Sequence, residues 1–235
     1  MYTLGVDCYW NLRIKLDILI DMPSRLIPFV NDEIYHVFNR GVAKMRIYNN
    51  AYDYRRFLRT MFYYQILGPK PKFSRFLPNN FKLNNNKIVD IICYCLMPNH
   101  FHFLLKQVKE SGITEFISKL SNSYTKYFNT KNQRVGPIFQ GEFKSVHIET
   151  NEQLLHVSRY IHLNPIISYV AKDLKNFKWS SYTEYIGELD NALCSKEIIL
   201  DQFKLKKDYK DFILDQLEYA RTLESTKHKL LDADQ

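Results

Sequence analysis

The spacing of apolar residues divides the chain into short strands and longer helices. Alternation at every second position, or a short continuous apolar run, predicts a strand, whereas apolar residues three or four positions apart predict a helix. The predicted strands are residues 33–41, 87–98, 100–108 and 143–150. The predicted helices are residues 51–67, 112–131 and 151–170.

These elements follow one another in the order β-α-β-β-α-β, and further helices come after residue 190. That order predicts an α+β fold with the ferredoxin-like split βαβ arrangement, in which an antiparallel sheet carries its helices on one face. Turn-forming residues support the boundaries: Gly68 and Pro69 end the first helix, and Pro98 and Asn99 join two strands by a tight turn.

Charge adds a candidate partner to this picture. The chain of 235 residues has a net charge of +8, yet residues 40–144 contain 18 Lys or Arg and 5 Asp or Glu, a net of +13. A basic block inside a globular chain indicates a polyanionic partner. Aromatic residues interleaved with the charges suit unpaired bases, which stack on rings, although the same rings also suit a core.

Other features exclude some classes of protein. No stretch of 18 uncharged apolar residues indicates a membrane span, and the first residues lack the pattern of a signal peptide. Four cysteines are too few and too scattered for a secreted disulfide framework, which makes a reducing cytoplasm the default expectation. They are Cys8, Cys93, Cys95 and Cys194.

Two histidines stand at alternate positions at the start of the third predicted strand. Side chains at i and i+2 of a strand share one face, so His100 and His102 project together while Phe101 points into the core. Two imidazoles on a rigid strand form a pair of metal ligands, although the pattern also arises by chance. Cys93 and Cys95 would complete a zinc set, but within an apolar strand cysteine is commonly a small buried hydrophobe.

A second pair lies in the predicted helix 151–170. Tyr160 and Asn164 are four residues apart and therefore share one face of the helix. An amide oxygen is a ligand for hard metals, and a phenol is a nucleophile once its proton is removed. If this helix crosses the sheet near the strand of His100, these groups surround a metal that can polarise a phosphate.

Four segments together resemble one family of enzymes. They are YHVFNRG at 35–41, CYCLMPNHFHFLL at 93–105, GPIFQGEFKS at 136–145 and YIHLNP at 160–165. In this order they resemble the single-tyrosine HUH (His-hydrophobic-His) transposases, in particular the branch of REP-associated tyrosine transposases. The resemblance covers roughly residues 22–185, which we take as the transposase domain. Residues 1–21 are then a doubtful N-terminal extension, and residues 186–235 a helical C-terminal extension.

The resemblance implies a set of site residues and a reaction. His100, His102 and Asn164 would bind Mg²⁺ or Mn²⁺, and Tyr160 would attack a phosphodiester of single-stranded DNA. The expected enzyme is a strand transferase that cleaves at or near DNA hairpins, holds a 5′-phosphotyrosine and leaves a 3′-OH. Its partner would be single-stranded or hairpin DNA in the cytoplasm, at the nucleoid, with no membrane. Whether the protein is a monomer or a homodimer stays open.

Polar and basic side chains near these segments are candidates for DNA contact, since backbone phosphates bind cations and amides. Some of them would instead only solvate the surface. The candidates are Asn39, Arg40, Arg55, Arg56, Arg59, Lys72, Arg75, Arg134, Gln140 and Lys144.

Other interpretations compete with this assignment. Tyr124 and Tyr127 are alternative nucleophiles, although their spacing also suits the core or a contact with DNA. His156, one helical turn before Tyr160, would assist proton transfer or be a satisfied, partly buried histidine. We expect His36 to pack or to touch DNA, and His147 to pack.

The protein as a whole would alternatively be a domesticated hairpin DNA- or RNA-binding protein. A replication or conjugation initiator of the same superfamily is disfavoured, because the chain has no GxxxxGK[ST] motif.

Overall fold

The computed structural model describes residues 28–68, 70–76, 86–189, 193–218 and 221. The proposed N-terminal extension, residues 1–21, lies outside the described residues, as does nearly all of the chain after residue 218. Within the described part, no helix combines the length and the apolar character that a membrane span requires.

Four strands form one antiparallel sheet in the order β2-β3-β1-β4. They are β1 (Ile34–Arg40), β2 (Val89–Met97), β3 (His100–Gln107) and β4 (Lys144–Ile148). The helices are α1 (Ala51–Gln65), α2 (Gly112–Lys131), α3 (Asn151–Ile167), α4 (Tyr182–Tyr185), α5 (Glu197–Leu200) and α6 (Lys206–Asp215). Elements β1 to β4 and α1 to α3 occur in the predicted order, and α2 has the predicted bounds.

Side-chain caps fix where the helices begin. Asn50 accepts hydrogen bonds from the backbone N–H groups of Tyr52 and Asp53, and the Asp53 carboxylate accepts from the Asn50 N–H in return. This capping box satisfies donors that the first turn of α1 cannot pair internally. Thr150 caps α3, because its hydroxyl oxygen accepts a hydrogen bond from the N–H of Gln153.

Helices cover both faces of the sheet. On one face, α1 and α2 pack with Phe101 and Phe103 in an aromatic core. On the other face, α3 packs over Cys93, Cys95 and Leu104. The α+β class and the antiparallel sheet are confirmed, and α1 and α2, the helices of the β-α-β-β-α-β unit, share one face as predicted. Helix α3, which follows β4, covers the other face because strand β2, with the largely apolar run VDIICYCLM, has side chains to bury on both faces.

The described part of the C-terminal extension is integrated with α3. The buried His162 ring lies 2.8 Å from both the Tyr209 hydroxyl of α6 and the Ser181 hydroxyl. The Arg159 guanidinium lies 3.6 Å from the ring centre of Phe212. These contacts fix α3 against the segments that follow it along the chain, in addition to its packing on the sheet.

Candidate active site

Strand pairing brings the two histidines to the face that α3 covers. Strand β3 lies beside β1, with His102 opposite Phe38 and His100 opposite Arg40. The two imidazole rings stand 5.0 Å apart and nearly perpendicular, while Phe101 between them is buried in the opposite core. The predicted arrangement of the i and i+2 side chains is therefore present.

Helix α3 crosses this face at the histidines. The ring of Tyr160 lies 5.3 Å from the ring of His102, edge to face. One turn further along the helix, Asn164 is 4% exposed and forms a side-chain hydrogen bond with His100. The four residues that the sequence analysis singled out for chemistry, His100, His102, Tyr160 and Asn164, thus form one cluster.

Each histidine of the pair uses its Nδ1 atom for a contact within the protein. His100 Nδ1 donates to the carboxamide oxygen of Asn99 at 2.7 Å, and His102 Nδ1 lies 2.9 Å from Nε2 of His36. Coordination of a metal by either ring would therefore use its Nε2 atom. Such contacts commonly orient metal-binding imidazoles.

Burial favours the neutral rings that metal binding needs. It lowers the pKa of His100 to about 4, against a smaller upward effect of the hydrogen bond to Asn164, and it lowers the pKa of His36 to about 3. Both rings are therefore neutral at physiological pH, and neutral imidazole is the form that binds metals. Two imidazoles and one amide oxygen are a donor set that fits a divalent cation with open positions.

A zinc site built with the cysteines is not supported by their environment. Burial raises the pKa of Cys93 and of Cys95, so both thiols are neutral and buried against α3. Among the described residues, no group of three or more His, Cys, Asp or Glu side chains is arranged to hold a metal. The candidate set therefore depends on the amide of Asn164.

A cavity of about 380 Å³ opens beside the cluster. His100, His102 and Tyr160 line it, and so do four of the predicted DNA-binding residues. Those four are Asn39, Arg40, Gln140 and Lys144. The site thus combines a candidate nucleophile, candidate metal ligands and positive charge around one space.

Two of the four resembling segments meet at the wall of this cavity. The Arg40 Nε atom donates to Oε1 of Gln140 at 2.5 Å, and the Gln140 N–H donates to the Arg40 carbonyl. The neighbouring Gly41 cannot carry a side chain, because a Cβ there would lie 2.3 Å from the carbonyl oxygen of Met45. The sequence Asn-Arg-Gly is therefore shaped by a tight backbone turn as well as by polar contacts.

The other predicted DNA-binding residues lie outside the cavity lining. Arg55, Lys72 and Arg75 are exposed, and the Arg55 guanidinium lies 4.7 Å from the ring centre of the exposed Tyr52. Arg134 instead braces its own loop by donating to carbonyl oxygens of Gly136 and Pro137 and to the side chain of Asn129, in the part of the chain that follows α2.

Arg56 and Arg59 hold the segment that follows α1. The Arg59 guanidinium donates to the carbonyl oxygens of Phe73, at 2.8 Å, and of Phe76. Arg56 lies 3.8 Å from the ring centre of Phe73, and burial lowers its pKa. These contacts give both arginines a structural role within the folded chain.

A stability measurement tests that structural explanation. We expect Arg59→Ala to lower the free energy of unfolding by about 1–3 kcal/mol, because two carbonyl oxygens lose a charged donor. Arg55→Ala, four residues earlier and exposed, is the matched control and should change stability by less than about 0.5 kcal/mol. Urea unfolding followed by circular dichroism measures both, and equal effects of the two substitutions would contradict this account.

The competing tyrosines and histidines lie elsewhere. Tyr124 is buried in the opposite core, where its hydroxyl donates to the Ile47 carbonyl at 2.6 Å, and the Tyr127 hydroxyl donates to Asp53 at 2.8 Å. His147 pairs with Glu33 at 2.9 Å on the exposed side of β4. His156 is half-buried, with its Nε2 atom 3.8 Å from Glu152.

His36 is the residue of this site that the sequence analysis did not assign. It is 1% exposed, in β1, and its ring lies 6.1 Å from Tyr160 as well as beside His102. The alternation in YHVFNRG predicted that His36 and Phe38 share one face of a strand. It did not predict the contact of His36 with His102, because that contact depends on the pairing of β1 with β3.

Comparisons with known proteins show which family and which fold the chain resembles. Residues 75–164, which include His100, His102, Tyr160 and Asn164, match the family model described as "Transposase IS200 like". The resemblance to this transposase family is confirmed. No curated protein matches the chain. The family match supports a DNA-processing, transposase-like function at the coarse level.

A solved structure has the same fold. The REP-associated tyrosine transposase bound to a REP hairpin aligns with a TM-score of 0.50 and 11% sequence identity, over 74% of this chain and 98% of that chain. At this identity the likeness shows the fold alone.

Proposed function

We propose that this protein is a single-tyrosine transposase that cleaves and rejoins single-stranded DNA at or near hairpins. The observation that carries the proposal is the position of Tyr160, whose ring lies 5.3 Å from that of His102 at the wall of a cavity that His100 also lines. A nucleophile beside two imidazoles and a positively charged wall suits attack on a phosphodiester.

His100, His102 and Asn164 would hold a divalent cation. The contacts of both Nδ1 atoms, which leave the Nε2 atoms as ligands, support this set. A bound cation supplies charge neutralisation at the scissile phosphate. Imidazole and amide ligands favour Mn²⁺ over Mg²⁺ in affinity, whereas Mg²⁺ is the more abundant ion in cells.

Tyr160 would carry the covalent step. Its oxygen forms a bond to phosphorus, the bond from phosphorus to the 3′ oxygen breaks, and that oxygen leaves as the 3′-OH after taking a proton. A 5′-phosphotyrosine conserves the energy of the phosphodiester, so a 3′-OH can reverse the reaction without ATP. The packing of Tyr160 against His102 and His36 restricts its ring, which favours a ready geometry for in-line attack.

Positive side chains of the cavity would bind the DNA backbone. Arg40, Lys44 and Lys144 line it, and Asn39 and Gln140 add amide groups that are able to reach base edges. Outside the cavity, the exposed Tyr52 with Arg55 above it offers a ring on which an unpaired base can stack. Such a surface suits DNA that has both a folded part and a single-stranded part.

The form of the substrate tests the proposal. We expect tighter binding to a hairpin with a single-stranded flank than to a blunt duplex of matched length. We also expect cleavage of the hairpin substrate in Mg²⁺ or Mn²⁺. Fluorescence anisotropy measures the binding, and a denaturing gel measures the cleavage. Binding without any cleavage would favour the alternative of a domesticated binding protein, and equal affinity for the blunt duplex would count against both interpretations.

The salt dependence of binding separates the cavity from the rest of the surface. Because released counterions drive binding, the logarithm of the affinity should fall linearly with the logarithm of salt concentration, with a slope of about 0.7–0.9 for each phosphate that is neutralised. Lys144→Gln should reduce that slope by about one, whereas Lys207→Gln, at an exposed position of α6, should leave it unchanged.

A further inference from the structure

His36 stands behind His102 as seen from the cavity. It lies in the neighbouring strand β1, is 1% exposed and does not line the cavity. Its Nε2 atom is 2.9 Å from Nδ1 of His102, and the two rings stack at 5.1 Å with 22° between their planes. His36 therefore contacts a candidate metal ligand without being able to reach the DNA itself.

We propose that His36 is a positioning residue that sets the ring orientation and the tautomer of His102 for metal binding. The inference rests on the proposed function, in that His102 acts as a ligand through Nε2. The inference adds a residue that touches neither metal nor substrate and that acts on the metal site through its hydrogen bond to His102.

The position of one proton decides whether His102 can bind a metal. A neutral imidazole has one N–H donor and one bare acceptor nitrogen. For Nε2 to bind a metal, the proton of His102 has to sit on Nδ1, where it donates to Nε2 of His36. In the opposite arrangement His36 donates from Nε2, and His102 then carries its proton on the atom that has to be the ligand.

The tautomer of His100, in contrast, is fixed by its hydrogen bond to Asn99. The oxygen of Asn99 only accepts hydrogen bonds, so it holds the proton of His100 on Nδ1 and leaves Nε2 as the ligand. His36 differs from Asn99 because an imidazole nitrogen can either donate or accept. The two candidate ligands therefore differ: one tautomer is fixed by the protein, and the other is set by a partner that can adopt both states.

The surroundings of His36 do not fix which of its two ring nitrogens carries the proton. Within the described part of the chain, the Nδ1 atom of His36 is buried without a hydrogen-bond partner, so nothing on that side fixes its proton. Phe38 and Tyr160 flank the ring at 5.1 and 6.1 Å and keep it in place. Binding of a cation at His102 should consequently move the protons of both rings together.

Two substitutions at position 36 separate the hydrogen bond from packing. His36→Phe keeps a flat ring in the buried site but removes the acceptor, whereas the Oε1 atom of His36→Gln reaches the place of Nε2 and can accept from His102. Mn²⁺ affinity is measured on the full chain without DNA by titration with electron paramagnetic resonance. We expect His36→Phe to weaken Mn²⁺ binding about 10- to 100-fold, the usual effect of losing such a partner, and His36→Gln to remain close to wild type.

Gln107→Leu is the matched control for a general loss of stability. Gln107 is a buried polar residue at the far end of the same strand as His102, with hydrogen bonds to Phe29 and Asn31. The Gln107→Leu substitution should lower the thermal unfolding temperature of the protein without changing its affinity for Mn²⁺. Wild-type affinity in His36→Phe, or an equal loss in Gln107→Leu, would overturn the inference.

Nitrogen chemical shifts of the wild-type histidines test the same point without any substitution. Mg²⁺ is diamagnetic, so the protons on both rings can be assigned in its absence and at saturation. We expect saturation to place the protons of His36 and His102 on their Nδ1 atoms. A proton that stays on Nε2 of His36 while Mg²⁺ binds through Nε2 of His102 would overturn the inference and leave the proposed function standing. Absence of Mg²⁺ and Mn²⁺ binding by the wild type would refute the metal site itself.

Discussion

Tyr160→Phe is expected to abolish the covalent protein–DNA adduct while leaving DNA binding in place. The substitution removes only the hydroxyl group and keeps the ring that packs against His102 and His36. No other atom of the ring can attack phosphorus, so the adduct should fall to background rather than decrease by a modest factor. A labelled oligonucleotide with a hairpin and a single-stranded flank, run on a denaturing gel with the protein, measures the adduct directly.

The tyrosines of α2 are the matched controls for this experiment. Tyr124→Phe and Tyr127→Phe each remove one hydroxyl as well, but from the opposite side of the sheet. Tyr124→Phe should cost about 1–3 kcal/mol of stability, since the Ile47 carbonyl loses a buried donor. Both variants should still form the adduct. An adduct that persists in Tyr160→Phe and disappears in a variant of α2 would transfer the nucleophile to that helix.

The buried environment of Tyr124 also argues against it on chemical grounds. Burial raises the pKa of Tyr124, which disfavours the phenolate needed for attack. Its hydroxyl is already committed to a backbone carbonyl and does not face the cavity. A phenol with an unperturbed pKa of about 10 needs a nearby positive charge to become a nucleophile at neutral pH, and Tyr160 lines the same cavity as Arg40 and Lys144.

Local periodicity was sufficient to predict which of the candidate side chains share a face, whereas their roles were implied by the family resemblance. The strand rule placed His100 and His102 on one face, and the helix rule placed Tyr160 and Asn164 on one face; both placements agree with the structure. Each rule depends only on residues within four positions of one another, which is why one sequence was enough. That α3 crosses β3 was a condition of the prediction, and the structure meets it.

Contacts between distant segments could not be predicted in this way. The contact of His36 with His102 depends on the β1–β3 register, which places Phe38 opposite His102 across more than sixty positions of sequence. The charge of Arg59 predicted a DNA contact, but its carbonyl partners lie in a segment with no regular spacing relative to α1. The apolar run of β2 was sufficient to predict that both faces of the sheet are covered.

Replacing His100 and His102 together by Ala is expected to abolish cleavage and to leave DNA affinity largely unchanged. Affinity comes mainly from neutralised phosphates, and the cations of the cavity, Arg40 and Lys144 among them, remain in the double variant. Cleavage should fall to the level that wild type shows in excess EDTA, because both treatments remove the same bound ion. Gel assays of nicking with anisotropy measurements on the same DNA separate the two effects.

The cysteines provide the control that separates this site from a zinc site. Cys93→Ala removes a neutral thiol that is buried against α3, so it should reduce stability while the folded protein still cleaves DNA. If cysteine thiolates were ligands, this variant would lose cleavage as completely as the histidine double variant. Loss of cleavage in Cys93→Ala with an intact fold would therefore replace the histidine–amide site by a thiolate site. Full cleavage by the histidine double variant, or by wild type in EDTA, would remove the metal from the reaction altogether.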